Sequence, residues 1–546
     1  MVSHFSTVWE SIADEIGDAT ALVHGVVRRT WAEFDDRAAR LAAAYVEAGL
    51  QPDSKIGLYL YNCNEYLEAQ AGGFKMRAVP VNVNYRYLNE ELWYLLENSD
   101  AEALIYHASL AHRVAAVRDR LPLLKLFIEV DDLGLGTVTT AVAGAHSYED
   151  VVAGHNPMPR INRSESDIYM LYTGGTTGMP KGVMYAMGGL TEGFILSAAT
   201  LLGAAPMTDP ALVAGLVGEN VRHGKQPISI PACPLMHGTG MWIGGFIPQL
   251  AGAAIVTLQA RSLDSDELLR TAASQHATHV TIVGDSFAKP ILRVLEAANA
   301  KGAPYDLSSL QMIASSGVMW TASVKADLLE LIPHVILLDA MGSTEGSMGV
   351  QISMRGMPAE TAKFAQNPTT KVFTDDDREV IPGSGEQGMV AAGGNVPLGY
   401  FKDAEKSART FRVIDGTRYS FPGDMATINA DGTLVLLGRG SQVINSAGEK
   451  IFPEEVEEAV KRVDGIVDCL VVGLDDEKFG QSVTAIASLA EGQRVDASAV
   501  IASVKGLLAS YKAPKQVVFV TTVPRAPNGK ADYKAARQLA IDALTP

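Results

Sequence analysis

Cysteine is scarce: Cys63, Cys233 and Cys469 are the three among 546 residues. They lie far apart and make no CxxC pair, which excludes a disulfide framework and a cysteine metal site. They read as small buried hydrophobes. No uninterrupted apolar run reaches the roughly 18 residues of a membrane span, so no transmembrane helix is expected. The start, Met1 to Phe5, has no basic stretch leading into an apolar core, so no secretory signal is expected and a reduced, cytoplasmic setting follows. Basic residues are in the minority. Lysine and arginine total 45 against 62 acids, a net charge of −17. That balance argues against non-specific binding of nucleic acid and against charge-driven docking on anionic lipid. A site for a polyanion must then carry its own basic groups. Neither a repeat nor a low-complexity tract appears.

What is present is ordinary soluble material: 47% hydrophobic and 20% charged residues. The length suggests about three to four structural units. Thr30-Trp31-Ala32-Glu33 is a capping box, and Phe34, Ala38, Leu41 and Tyr45 follow at helical spacing up to Gly49. Strand-like runs at 55–60, 78–83, 102–106, 126–130, 254–258, 279–283, 310–314 and 335–339 alternate with helix-like stretches. Such alternation predicts α/β sheets with parallel strands. Residues 203–226 read as a surface insertion without chemistry. From about 385 glycines cluster between short β-like runs, as in a small β subdomain. A strand at 434–437 leads into the polar joint Gly438 to Ser441. Pro453-Glu454-Glu455-Val456 then opens a helix, since proline suits the first turn and acids its positive end. A strand follows at 468–472. The expected architecture is therefore α/β: a large domain of α/β sheets plus a β subdomain (1–438), a hinge (439–441) and a small mobile α+β C-terminal domain (442–546).

The richest segment is Tyr172-Thr173-Gly174-Gly175-Thr176-Thr177-Gly178-Met179-Pro180-Lys181-Gly182, directly after an apolar strand at 168–171. Glycines let backbone N–H groups approach an anion, threonines add hydroxyl donors, and Lys181 adds positive charge. It is not a Walker A loop, which ends Gly-Lys-Ser/Thr. By composition alone it could be a plain polar loop between strands. Its ordered string resembles the phosphate loop of the adenylate-forming superfamily, which includes acyl-CoA synthetases, aryl-CoA ligases, luciferases and adenylation domains.

Six further elements occur in that family's order. His237 and Gly240 match a His-x-x-Gly element bordering the acyl pocket; a lone loop histidine is otherwise structural. Ser316-Gly317-Val318 resembles the adenine-contact loop. In Met341-Gly342-Ser343-Thr344-Glu345 a strand runs into hydroxyls and a carboxylate. By residue type these either cap a following helix or serve phosphate and Mg²⁺. The resemblance implies that Thr344 binds phosphate, that Glu345 orders Mg²⁺ and that Met341, where an aromatic is usual, covers adenine. Asp424 after Pro422-Gly423 is a turn residue by type, and by resemblance holds the ribose hydroxyls. Phe421 and Pro422 replace the usual arginine and threonine. Arg439 matches the arginine of the ribose region, Ser441 stands at the hinge where an acid or lysine is usual, and Gly448 opens the strand lining the pantetheine tunnel. Lys530 in Pro524-Arg525-Ala526-Pro527-Asn528-Gly529-Lys530 would ordinarily be a solvated turn residue; in the family this position is the catalytic lysine.

The resemblance spans nearly the whole chain. The stretch Gly448 to Glu457 is most similar to actinobacterial fatty-acid and sterol-side-chain CoA ligases. It implies an enzyme that joins a hydrophobic acid to AMP and then to CoA, using ATP, Mg²⁺ and CoA. Lys530, Thr344, Glu345 and His237 would be catalytic, and Thr173, Gly174, Gly175, Thr176, Thr177, Gly178 and Lys181 would cradle phosphates. The acid would lie near His237, Met241, Trp242, Ser315 and Met341. Two other readings stay open: a fatty-acyl-AMP ligase that does not use CoA, and a non-catalytic nucleotide-binding protein of the same fold. Chain length of the acid and oligomeric state, a homodimer included, are not readable.

Overall fold

A computed structural model describes the chain except residues 133–139, 175–178, 447–448, 477–479, 527–529 and 545–546. It divides into two compact units. The first comprises Met1–Ser347, Ile352–Glu360 and Gly394–Val413.

Two sheets dominate this unit. One runs in the order Thr20–His24, Ala254–Thr257, Ile228–Pro231, His279–Ile282, Met312–Ser316 and Ile336–Ser343, all parallel, with Val27–Thr30 antiparallel at the edge. The other runs Val79–Asn82, Lys55–Tyr59, Ala101–His107, Leu126–Val130 and Ala145–Ser147, again parallel. A third, antiparallel sheet joins Ile168–Thr173, Lys181–Ala186 and Gly399–Tyr400. The α/β reading of the strand-helix alternation is borne out. The Ile228–Pro231 strand was not anticipated. It is short, and its buried Ser229 breaks the apolar pattern while donating its hydroxyl to Gly244 O at 2.9 Å.

Burial explains the elements. Thr30 and Glu33 form the predicted reciprocal cap of helix Trp31–Glu47, an arrangement worth about 1 kcal/mol. Phe5 packs on Phe246 with ring centroids 4.7 Å apart and stacks on Trp9 at 5.5 Å. Beside this apolar core Glu10 takes Lys75 at 2.8 Å and Arg163 at 2.7 Å, all three buried. The expected surface insertion at 203–226 is corrected in part. Helix Val213–Arg222 buries Val213 and Val217 in the main core, because that i, i+4 pair gives it one apolar stripe.

The second unit comprises Met348–Gln351, Thr361–Gly393 and Ile414–Pro546. Antiparallel strands Lys363–Gln366, Thr370–Phe373, Gly388–Ala392, Asp424–Ile428 and Leu434–Arg439 form its β part over Phe373, Ala391 and Phe421. A further sheet holds Ile444–Ser446, Glu449–Ile451, Ile466–Asp476, Gly480–Leu489 and Gln516–Val520. Helices Pro453–Lys461 and Ala497–Leu507 cover one face through Val456, Val460, Val500 and Val504. Helix Tyr533–Leu544 covers the other through Ala536 and Ala540. Among the described residues no helix is long and apolar enough to cross a membrane.

Candidate active site

The phosphate-loop motif caps a hairpin. Strands Ile168–Thr173 and Lys181–Ala186 pair antiparallel, with Thr173 opposite Lys181. Gly174 is exposed and has open space where a side chain would stand. Gly175, Thr176, Thr177 and Gly178 lie outside the described residues. The hairpin base is fixed by buried Asn82, whose amide donates to Tyr172 O at 2.8 Å and to Met236 O at 2.6 Å and accepts from Tyr172 N–H at 2.6 Å. One side chain thus ties the loop to the His237 segment.

Strand Ile336–Ser343 delivers Met341, Gly342 and Ser343 to a turn at Thr344 and Glu345, and strand Gly346–Ser353 follows. No helix begins there, so the capping role for Thr344 and Glu345 is excluded. The turn is held from several sides. Ser343 Oγ accepts the Glu345 N–H at 3.1 Å, and the Tyr185 hydroxyl donates to Thr344 O at 3.0 Å. The Tyr400 hydroxyl donates to Glu345 Oε1 at 2.8 Å. Lys181 Nζ meets Asp403 Oδ2 at 2.9 Å and lies 5.8 Å from the Tyr400 ring centroid. That hydrogen bond, with the Lys406 N–H, holds the Asp403 carboxyl below its ordinary range. Burial drives the Tyr185 hydroxyl well upward, so it stays a donor.

Met341 is buried near the strand end. Ser316 sits in register with Ala340 on the neighbouring parallel strand, so 317–318 come off the sheet alongside 341–343, where the partner strand continues. Gly317 has φ +89°, a backbone that favours glycine, where the chain turns off. Beneath them Lys325, fully buried, reaches Asp339 at 2.8 Å. Burial raises the Asp339 carboxyl and Lys325 opposes that rise.

His237 is half-buried and begins the helical turn that continues into the π-helical segment Thr239–Phe246. Gly240 is required there, since a Cβ would stand 2.2 Å from Pro234 O. Trp242 Nε1 donates to the Tyr169 hydroxyl at 2.8 Å, and its ring meets Tyr185 edge-on at 6.0 Å. Tyr185 therefore contacts both the Thr344 turn and Trp242, joining the expected acyl wall to the expected nucleotide turn.

In the second unit Asp424 and Arg439 are register partners on adjacent strands, with Nε to Oδ1 at 3.3 Å. Gly440 N–H donates to Gly423 O at 2.9 Å and closes the same end. Gly438, at φ +126°, has no room for a Cβ, which would lie 2.1 Å from Glu454 Oε2. Glu454 is half-buried with its Oε2 shut off from solvent, and its carboxyl is pushed up to about 7 by desolvation first, with the Asp424 charge adding to the rise. Gly448 lies outside the described residues. Lys530 is exposed, and its carbonyl accepts the Ala526 N–H at 2.7 Å. Just before Ala526, Arg525 makes a two-point contact with Asp468 at 2.6 Å.

Thr173, Lys181, Thr344 and Glu345 thus sit in one unit around Tyr185 and Tyr400, Ser316 to Val318 accompany Met341 to Ser343, and Asp424 accompanies Arg439. Asn82, Tyr185, Tyr400, Asp403 and Lys406 were missed. The polar run Gly399-Tyr400-Phe401-Lys402-Asp403 to Lys406 was the available signal for three of them.

The arrangement matches known proteins along its whole length. The chain belongs to the AMP-binding enzyme family, whose model covers residues 9–401, followed by the AMP-binding enzyme C-terminal domain over 455–530. It is 38% identical to a 3-oxocholest-4-en-26-oate--CoA ligase of Rhodococcus rhodochrous, over 98% of this chain and 96% of that one. It is equally 38% identical to the medium-chain acyl-CoA ligase Mig of Mycobacterium avium, over 98% of both chains. Among solved structures, an anthranilate CoA ligase, AuaEII, superposes with TM-score 0.82 over 99% of this chain and 98% of that one. At 21% identity that match bears on the fold alone.

Proposed function

We propose that this protein is an ATP-dependent acyl-CoA ligase that takes a hydrophobic acid, a medium- or long-chain fatty acid or a steroid side-chain acid, through acyl-AMP to acyl-CoA. The observation carrying this reading is the Lys181, Tyr400 and Glu345 cluster at the mouth of the glycine hairpin, in a chain that matches acid-CoA ligases end to end.

A carboxylate is a poor acyl donor because its leaving group would be an oxide. Attack of its oxygen on the α-phosphorus of ATP, with pyrophosphate leaving, gives a mixed anhydride with a good leaving group. Two anions must meet, so positive groups set in place beforehand lower the barrier. Lys181 and the loop 173–178 hold the β- and γ-phosphates, Thr344 the phosphate chain, and Lys530 bridges substrate carboxylate and α-phosphate. Asp424, beside Arg439, accepts from the ribose hydroxyls, and Met341 with Ser316 to Val318 packs the adenine. His237, Met241 and Trp242 border the acid. Glu345 fits a Mg²⁺ role: its carboxylate, one oxygen of which is held in place by the Tyr400 hydroxyl, would offer a hard oxygen ligand to the ion. When bound, Mg²⁺ neutralises phosphate charge.

In the second step the CoA thiol attacks the acyl carbonyl and AMP leaves. Rotation of residues 442–546 about 439–441 would withdraw Lys530 and present the Gly448 strand to pantetheine, an ordinary hinge motion. The cytoplasm, which supplies ATP and CoA, is the setting this reading takes. Pyrophosphate and acyl-CoA should be measured over fatty, aromatic and steroid side-chain acids, with and without CoA. Acyl-CoA from a fatty or steroid acid supports the reading. Acyl-AMP that persists with CoA present favours an acyl-AMP ligase, and ATP binding without pyrophosphate release from any acid refutes catalysis.

A further inference from the structure

The Tyr400 ring carries two ammonium groups. Lys181 Nζ lies 5.8 Å from its centroid and Lys406 Nζ 5.1 Å. Only Lys181 has a carboxylate within pairing distance, Asp403 at 2.9 Å; Asp403 spends its other contact on the Lys406 backbone N–H at 3.0 Å. The Lys406 side chain is half-buried and makes no ion pair among the described residues. Burial and the adjacent Lys181 charge hold its ammonium below the ordinary lysine range, while Glu345 and Asp403 oppose this. Two like charges held beside one aromatic ring, close enough for the Lys181 charge to depress Lys406, repel unless an anion lies between them. The Tyr400 hydroxyl meanwhile is turned to Glu345, on the turn that also carries Thr344.

We infer that Lys406 is a second phosphate-binding cation, which with Lys181 seats the two terminal phosphates of ATP and then the pyrophosphate they become. The inference rests on the ligase reading for the identity of the triphosphate. A compact dianion with several oxygens satisfies both ammonium groups at once, whereas a single carboxylate already at Lys181 satisfies one. Lys406 thereby steadies the leaving group: as the bond from the α-phosphorus to its bridging oxygen breaks, the electron pair departs with pyrophosphate, and the charge arrives beside two cations instead of one. Tyr400 acts as the floor that spaces them, so phosphate binding and the posture of Glu345 are set by one ring.

The test uses the full chain and two variants, Lys406→Gln and Lys406→Arg. Calorimetric titration with pyrophosphate and with ATP should show binding weakened about tenfold in Lys406→Gln, the size of one lost charge-assisted contact at a half-buried site. Lys406→Arg should recover most of it. In turnover, KM for ATP, and KM for pyrophosphate in the reverse direction, should rise with Lys406→Gln while KM for CoA stays put. A merely structural lysine would instead lower the melting temperature and move all three constants together. Wild-type affinity for pyrophosphate and ATP in Lys406→Gln overturns the proposal. Because the titration needs no acid, it decides the point even if no acid is ever activated, an outcome that would sink only the ligase reading.

Discussion

Glu454→Gln should make the protein more stable above neutral pH. The Glu454 Oε2 is buried behind Gly438 with no hydrogen-bond partner among the described residues, and its Oε1 receives the Arg439 N–H at a long 3.5 Å. One helical turn on, Glu457 is buried too, accepts the Val471 N–H at 3.0 Å and is pushed up to about 8 by desolvation and by Glu454. Burial favours the neutral acid, so Glu454 rises from 4.5 to about 7 on folding. A raised carboxyl binds its proton in the fold at pH values where the unfolded chain has lost it. Its contribution is therefore complete below about 4.5 and is lost as pH rises through about 7. The gap corresponds to roughly 3 kcal/mol as an upper bound, and the coupled Glu457 blurs the step. Glutamine has the same shape, keeps an acceptor for Arg439 and never ionises. Melting temperatures of both proteins from pH 5 to pH 8.5 should coincide at the acid end. They should diverge through neutrality, with the variant higher by several degrees, about 2–4 °C per kcal/mol for this size of unit. A constant difference, or a variant that is less stable at the alkaline end, would refute the reasoning.

Other perturbations carry equally definite outcomes. Asp339→Asn removes the counter-charge of the fully buried Lys325 ammonium, which keeps its bond to Glu360 O at 3.2 Å, and should cost about 3–5 kcal/mol, read by chemical denaturation, whereas the double variant Asp339→Leu with Lys325→Met should recover much of it. Tyr185→Phe removes the donor to the part-buried Thr344 O and loosens that turn, so adenylation should slow by about tenfold at unchanged fold, checked by pyrophosphate release and circular dichroism. Trp242→Ala opens the apolar wall beside Tyr169 and should shift preference toward bulkier acids, seen as a changed ratio of kcat/KM between a steroid side-chain acid and a medium-chain fatty acid.

Much of the fold was legible in local pattern. The eight strand runs from 55 to 339 reappear within a few residues, and the Thr30 box caps its helix, because both signals depend on neighbours along the chain. The helix Val213–Arg222 was misjudged because two valines facing a distant core look like isolated apolar residues until their partner helix Phe5–Ile16 is known. In the site, Lys181, Glu345 and Asp424 were readable as parts of ordered strings. Tyr400 to Glu345 and Asn82 to Tyr172 were not, for they join residues 55 and 90 positions apart and neither side chain is unusual on its own. The same limit hid Glu454: a glutamate in the first turn of a helix looks solvated, and only the missing Cβ of Gly438 shows where its carboxylate points.

Lys530→Ala measures the main contention directly. With acid and ATP, the variant should form adenylate at least 10²–10³ times more slowly, the scale of one lost charge-stabilising donor. Given synthetic acyl-adenylate and CoA, it should still make thioester at close to the parental rate. Adenylate formation at full speed without that ammonium would contradict the account.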